Sequence, residues 1–130
     1  MADDSNDDVL MFQEAFRSID PGASLRRVAD GKAALEACDP HSGAAFDIIV
    51  LDYHLPKHSG GEVVERLAAW GVVAKVPVVV LSSHLPAEKR LRLLDLGVAL
   101  VAEKPNDLDA LCALARRILA LVRGSTAAVQ

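Results

Sequence analysis

Basic runs are missing from this sequence. Lys and Arg gather into short pairs such as Arg26-Arg27 and Arg116-Arg117, and the formal net charge is −4. A nucleic-acid footprint needs cations clustered on one face, so no nucleic-acid partner is expected. Cysteine is scarce too. Cys38 and Cys112 lie far apart in helical patterns with no metal-ligand neighbour at short spacing, which reads as two reduced core thiols. No apolar stretch approaches the roughly 20 residues of a membrane span. The acidic start is wrong for a secretory signal. These absences point to the cytoplasm, with no membrane partner.

What is present is a folding chain. Its 130 residues suit one domain with its own core, and 52% apolar with 25% charged residues is a globular balance. Apolar residues recur at helical spacing from Asp7 to Ser18, with Ser5 as N-cap and Asp8 three residues on. A short strand is read over 24–29, then a helix capped by Asp30. Ile48-Ile49-Val50-Leu51 is continuously apolar, as in a strand covered on both faces, and it ends at Asp52. A helix follows from about Glu62 to Trp70. A second buried strand runs from Val76 to Leu81, and a helix near Pro86 stops at Gly97. Its leucines Leu91, Leu93, Leu94 and Leu96 read as core. A short strand over 100–103 precedes a last helix capped by Asn106 or Asp107. The domain is read as 1–123, with a polar tail over 124–130. Strands alternating with helices predict an α/β doubly wound parallel sheet, with ligands at the carboxyl ends of its strands.

The chemistry-bearing residues fall at those ends or in the leader: Asp3 and Asp4, Asp52, Ser82 and Lys104. Crowded carboxylates repel unless a hard cation neutralises them, and Mg²⁺ suits one or two carboxylates together with phosphate oxygens. An ammonium and a hydroxyl beside such a cation complete a socket for a transferring phosphoryl group. His54 and His58 stand four apart, but Pro56 between them argues against a helical metal pair.

Four segments in chain order resemble the receiver domains of two-component response regulators. Phe46 to Gly60 is similar to their phosphoacceptor segment, and Val76 to Ser83 to their fourth strand. Gly97 to Pro105 resembles their fifth strand with its Lys-Pro pair. Ala2 to Val9 resembles the acidic pair and the following helix start. The resemblance implies a flavodoxin-like receiver fold and a phosphoprotein in phosphorelay signal transduction. Asp52 would take the phosphoryl group from a histidine kinase or phosphotransfer protein, and a downstream protein target would read the result. Asp4, Asp52 and the His54 backbone carbonyl would ligate Mg²⁺, with Asp3 acting through water. Lys104 and Ser82 would contact phosphoryl oxygens. His54 and His84 would flank the approach of water, and the bond before Pro105 would be cis. Such a chain is not a turnover enzyme, although it assists its own Mg²⁺-dependent phosphorylation and dephosphorylation.

The sequence departs from that family in three places. Only Met1-Ala2 precede Asp3, so the family's first strand reads as missing or truncated. Val101 holds the position where an aromatic switch residue is usual, and Ser59 stands where an aspartate is common. No output domain is expected after the last helix. A sheet without its first strand would leave backbone groups unpaired, so an ordinary five-stranded monomer is not expected: the sheet closes up, a second chain covers the gap as in a homodimer, or the true start lies upstream of Met1. The alternative function is a degenerate receiver that binds proteins without phosphorylation.

Overall fold

The computed structural model describes residues 1–43 and 45–129, with side chains described as far as 122. The helices are α1 Asn6–Ile19, α2 Gly31–Cys38, α3 Gly60–Ala69, α4 Ala87–Asp95 and α5 Leu108–Val129. The strands are β1 Ile49–Asp52, β2 Val78–Ser82 and β3 Leu100–Glu103, paired in parallel in the order β1-β2-β3. Each strand divides its side chains between two cores. Ile49, Leu51, Val78, Val80 and Val101 join Val63, Val64, Leu67 and Leu93 on the α3/α4 side. Val50, Val79 and Leu81 join Phe12, Phe16, Leu111 and Ile118 on the α1/α5 side. The continuous apolar runs follow from this, because both faces of a doubly wound sheet are covered.

The helix starts obey their caps. Ser5 accepts from Asp8 N–H, Asp30 from Ala33 N–H, Ser59 from Glu62 N–H and Asp107 from Ala110 N–H. After α4 the chain turns at Gly97, whose φ of 103° is left-handed backbone that disfavours a side chain. Beyond Gly124, α5 continues to Val129. In α4, Leu93 is buried but Leu91 and Leu94 are 61% and 41% exposed. These two leucines do not serve the core, because a helix lying on a sheet buries only one stripe. Among the described residues no helix is long and apolar enough to cross a membrane.

The strand expected ahead of Asp3 is present at Ala2. Ala2 forms parallel bridges to both Val28 and Leu51, which places it at the middle of the sheet. Its N–H donates to Val50 O at 2.8 Å and its carbonyl accepts from Asp52 N–H at 2.9 Å. Asp3 N–H donates to Val28 O at 3.1 Å on the other side. Over 24–29 the pairing with the sheet is the bridge at Val28. That single rung nonetheless delivers Asp3 and Asp4 to the strand ends.

Candidate functional site

The carboxyl ends of the strands gather the acidic leader, Asp52, Ser82 and Lys104. Asp52 closes β1 and is only 5% exposed. Its Oδ1 accepts from His54 N–H at 3.0 Å, and its Oδ2 accepts from Lys104 Nζ at 2.9 Å. Lys104 follows β3 and is held by its own N–H, which donates to Ser82 O at 3.0 Å. The ammonium also lies 3.1 Å from Asp8 Oδ2 and 3.2 Å from Asp3 Oδ2. One cation therefore stands among three carboxylates from the leader, α1 and β1.

Asp3 is fully buried. Its Oδ1 accepts from Ser5 N–H at 2.9 Å. Its Oδ2 forms a close ion pair with Lys104 but lies off hydrogen-bond geometry, so it accepts no hydrogen bond from any described residue. Burial raises the Asp3 pKa above the ordinary aspartate value, against the opposing pull of Ser5 N–H and Lys104. For Lys104, burial alone would lower the pKa. Hydrogen bonds to Asp52 and Asp8, then the charge of Asp52 and the close contact with Asp3, more than offset it, and the pKa is raised.

Oxygens of Asp3, Asp4 and Asp52 all lie within 4.8 Å of one another. Asp3 and Asp52 are buried and Asp4 is exposed. A buried carboxylate oxygen with no hydrogen bond, in an all-oxygen group open to solvent on the Asp4 side, fits a hard divalent cation such as Mg²⁺.

Ser82 ends β2 at 2% exposure. Its hydroxyl donates to His84 O at 2.9 Å and accepts from His84 N–H at 3.2 Å, with His54 Nε2 at 3.5 Å. Among the described residues the printed partners of the Ser82 hydroxyl are therefore His84 and His54. Val101 is buried in β3. The chain has no cis peptide bond among the described residues, so Lys104–Pro105 is trans and not cis as expected. Trans is the default for such a bond, by about 0.5–1 kcal/mol. From its position in the sequence Asp8 reads only as a helix-capping residue, and its contact with Lys104 comes from the tertiary fold. The signal was its place in the first turn after the acidic pair, but nothing local showed that α1 turns it toward β3.

Gly60 explains how β1 and α3 come so close behind Asp52. Its N–H donates to Tyr53 O at 2.7 Å, and an added Cβ would fall 2.6 Å from Tyr53 Cα and 2.7 Å from Asp52 O. These are backbone atoms that cannot swing aside. Gly60→Ala is therefore expected to lose about 1–3 kcal/mol of stability by overpacking. Urea unfolding measures it, and an unchanged midpoint would show that the backbone behind Asp52 yields freely.

A family model described as "Response regulator receiver domain" matches residues 1–116. The transcriptional regulatory protein KdpE of Mycobacterium tuberculosis is 32% identical over 109 residues, covering 84% of this chain and 44% of that protein. The response regulator protein PmrA of Pseudomonas aeruginosa is 35% identical over 105 residues, covering 81% of this chain and 44% of its own length. The chain thus spans less than half the length of these relatives. The crystal structure of the phosphorylated cyanobacterial phytochrome response regulator RcpA superposes with a TM-score of 0.79 at 26% identity, covering 90% of this chain and 86% of that one. The Mn²⁺-bound form of response regulator Rcp1 shares the fold with a TM-score of 0.74 at 23% identity, over 92% and 88% of the two chains.

Proposed function

The chain belongs to the response regulator receiver family, and from that premise we propose that it accepts a phosphoryl group on Asp52 and signals through protein contacts. The observation that carries this reading is the buried Asp52 carboxylate held 2.9 Å from Lys104 Nζ, beside two further aspartates. The donor is a phosphohistidine on a histidine kinase or phosphotransfer protein. An Asp52 carboxylate oxygen attacks phosphorus, the new O–P bond forms as the P–N bond breaks, and the imidazole leaves with a proton from solvent. The chain is thus a phosphoacceptor that assists its own modification, not a turnover enzyme.

Lys104 is poised to follow the charge from the Asp52 carboxylate to the incoming phosphoryl oxygens. Ser82 can serve them only by giving up its bond to His84 O, which couples phosphorylation to the 82–86 loop ahead of α4. Val101 has no ring to swing, so that loop carries the response in this reading. Asp3, Asp4, Asp52 and the His54 carbonyl would hold Mg²⁺, which when bound offsets the crowded negative charge; Mn²⁺ in the solved Rcp1 structure supports a divalent ion here. A cytoplasmic location, a downstream protein target and homodimerisation belong to the same reading.

The test is intact mass after incubation with acetyl phosphate. The expected result is a gain of one phosphoryl group with Mg²⁺ and none with a chelator. An unchanged mass under both conditions would instead favour a receiver that binds proteins without phosphorylation.

A further inference from the structure

Tyr53, the single tyrosine of the chain, follows Asp52 directly and its ring meets three neighbours. The first is Gly61 in the opening turn of α3. A Cβ added there would fall 3.2 Å from Tyr53 Cε2 and 3.3 Å from its hydroxyl, so the phenol is seated on bare backbone. The second is Lys89 of α4, whose Nζ lies over the ring at 5.7 Å from its centroid, within the range of a cation–π contact. The third is His54, whose imidazole stands edge-on at 5.3 Å with an interplanar angle of 82°. The backbone of Tyr53 is held, since its N–H donates to Leu81 O at 2.8 Å and its carbonyl accepts from Gly60 N–H at 2.7 Å. Movement at this residue is therefore movement of the ring.

Two of these contacts lead back to Ser82. His54 Nε2 lies 3.5 Å from the Ser82 hydroxyl. Lys89 is reached along the chain: the same hydroxyl is bonded to both backbone groups of His84, two residues before the N-cap Pro86, and Lys89 stands in the first turn of α4. That helix is lightly held. Leu93 is its one buried residue, and its ion pair to α3, Arg92 to Glu65 at 3.4 Å, joins side chains more than half exposed. Exposed pairs of this kind contribute little. Beside the ring a groove of about 290 Å³ runs between α3 and α4. An element with few buried apolar contacts is one that shifts easily, so the Tyr53–Lys89 contact is a main tie between α4 and the strand that carries Asp52.

We propose that Tyr53 is a clamp on α4, closed while the Ser82 hydroxyl is engaged by His84 and His54 and opened when Ser82 turns to a phosphoryl oxygen. The proposal rests on Asp52 being the phosphoacceptor. Once Ser82 gives up His84 O, the loop carrying Lys89 is freed and the His54 imidazole loses its polar neighbour. The ring then leaves its seat on Gly61 and α4 is released. Tyr53 thus supplies the moving aromatic that β3, with Val101, does not. Coupling of this kind is reciprocal: contacts that close the clamp weaken the hold on the phosphoryl group, and removing them strengthens it.

The probe is beryllofluoride, which caps a carboxylate as a phosphoryl group does, titrated with Mg²⁺ into the intact chain. Lys89→Met, at an exposed position, should bind it about two- to fivefold more tightly, the worth of an exposed cation–π contact. The sign is diagnostic, because loss of a positive charge near an anion site weakens anion binding by electrostatics alone. Tyr53→Leu should tighten binding as well, and the double variant no further than Tyr53→Leu by itself. In the wild type, nuclear Overhauser contacts between the Tyr53 ring and the Lys89 methylenes should be present with Mg²⁺ alone and lost with beryllofluoride. Equal or weaker binding by Lys89→Met, a double variant showing the product of both single effects, or ring contacts that persist with beryllofluoride bound would each overturn the clamp and leave Asp52 as phosphoacceptor. No binding of beryllofluoride by the wild type overturns both readings.

Discussion

Lys104→Met should cost the fold about 3 kcal/mol at neutral pH, a large share of the roughly 5–15 kcal/mol that holds a domain of this kind together. Methionine keeps most of the hydrocarbon stem and removes the charge. Asp3 and Asp52 would then be buried with no cation beside them, and breaking such a group by deleting one partner costs about 3–5 kcal/mol. The low end applies because the Lys104 side chain retains 22% exposure. The pH dependence carries a sign. In the wild type the raised Lys104 pKa gives stability that is fully present below its unfolded value and is lost only as alkaline pH passes the folded one. The raised Asp3 pKa acts oppositely for a carboxyl: it penalises the folded state above that pKa, and the penalty fades as pH falls toward 3.8. In Lys104→Met that acidic recovery should grow, so the deficit against wild type shrinks as pH drops below neutrality. Mg²⁺ should also raise the melting temperature of the variant, by up to about 2.7 kcal/mol of stability at a hundred times its dissociation constant. A variant equally destabilised at pH 5 and pH 8, and indifferent to Mg²⁺, would show that Lys104 contributes packing and not charge.

Asp52→Asn should lose phosphorylation altogether. The amide keeps the shape and the acceptor for His54 N–H but cannot attack phosphorus as a carboxylate does. Neighbouring aspartates are poor substitutes. Asp8 touches Lys104 but is 40% exposed in the first turn of α1, and Asp4 is exposed with no contact to the ammonium. Removing one of the three clustered carboxylates should in addition reduce the Mg²⁺-induced rise in melting temperature. Intact mass with acetyl phosphate and peptide mapping read the first effect, and calorimetry with and without Mg²⁺ reads the second. A phosphoryl group that persists on the variant would move the acceptor site away from Asp52.

Local chemistry wrote much of this molecule into its sequence. The caps Ser5 and Asp30 began their helices as the spacing indicates, because a side-chain oxygen three residues before a free N–H needs no tertiary help. The apolar runs ending at Asp52 and near Ser82 became buried parallel strands, because only a sheet covered on both faces tolerates unbroken apolar residues. Order along the chain then brought Asp52, Ser82 and Lys104 to one edge, since every parallel strand presents its carboxyl end there. Other features depended on distant partners. The stretch over 24–29 has strand composition, and its place in the sheet is set at Val28 by the bridge to Ala2. Leu91 and Leu94 match Leu93 in chemistry, and only the angle at which α4 meets the sheet left them in water. The meeting of Asp8 with Lys104, 96 residues apart, and the burial of Asp3 without a hydrogen bond on one oxygen were likewise decided by packing. Spacing fixes what a residue can do within a few turns of chain, whereas which charges share a low-dielectric site depends on how the layers close.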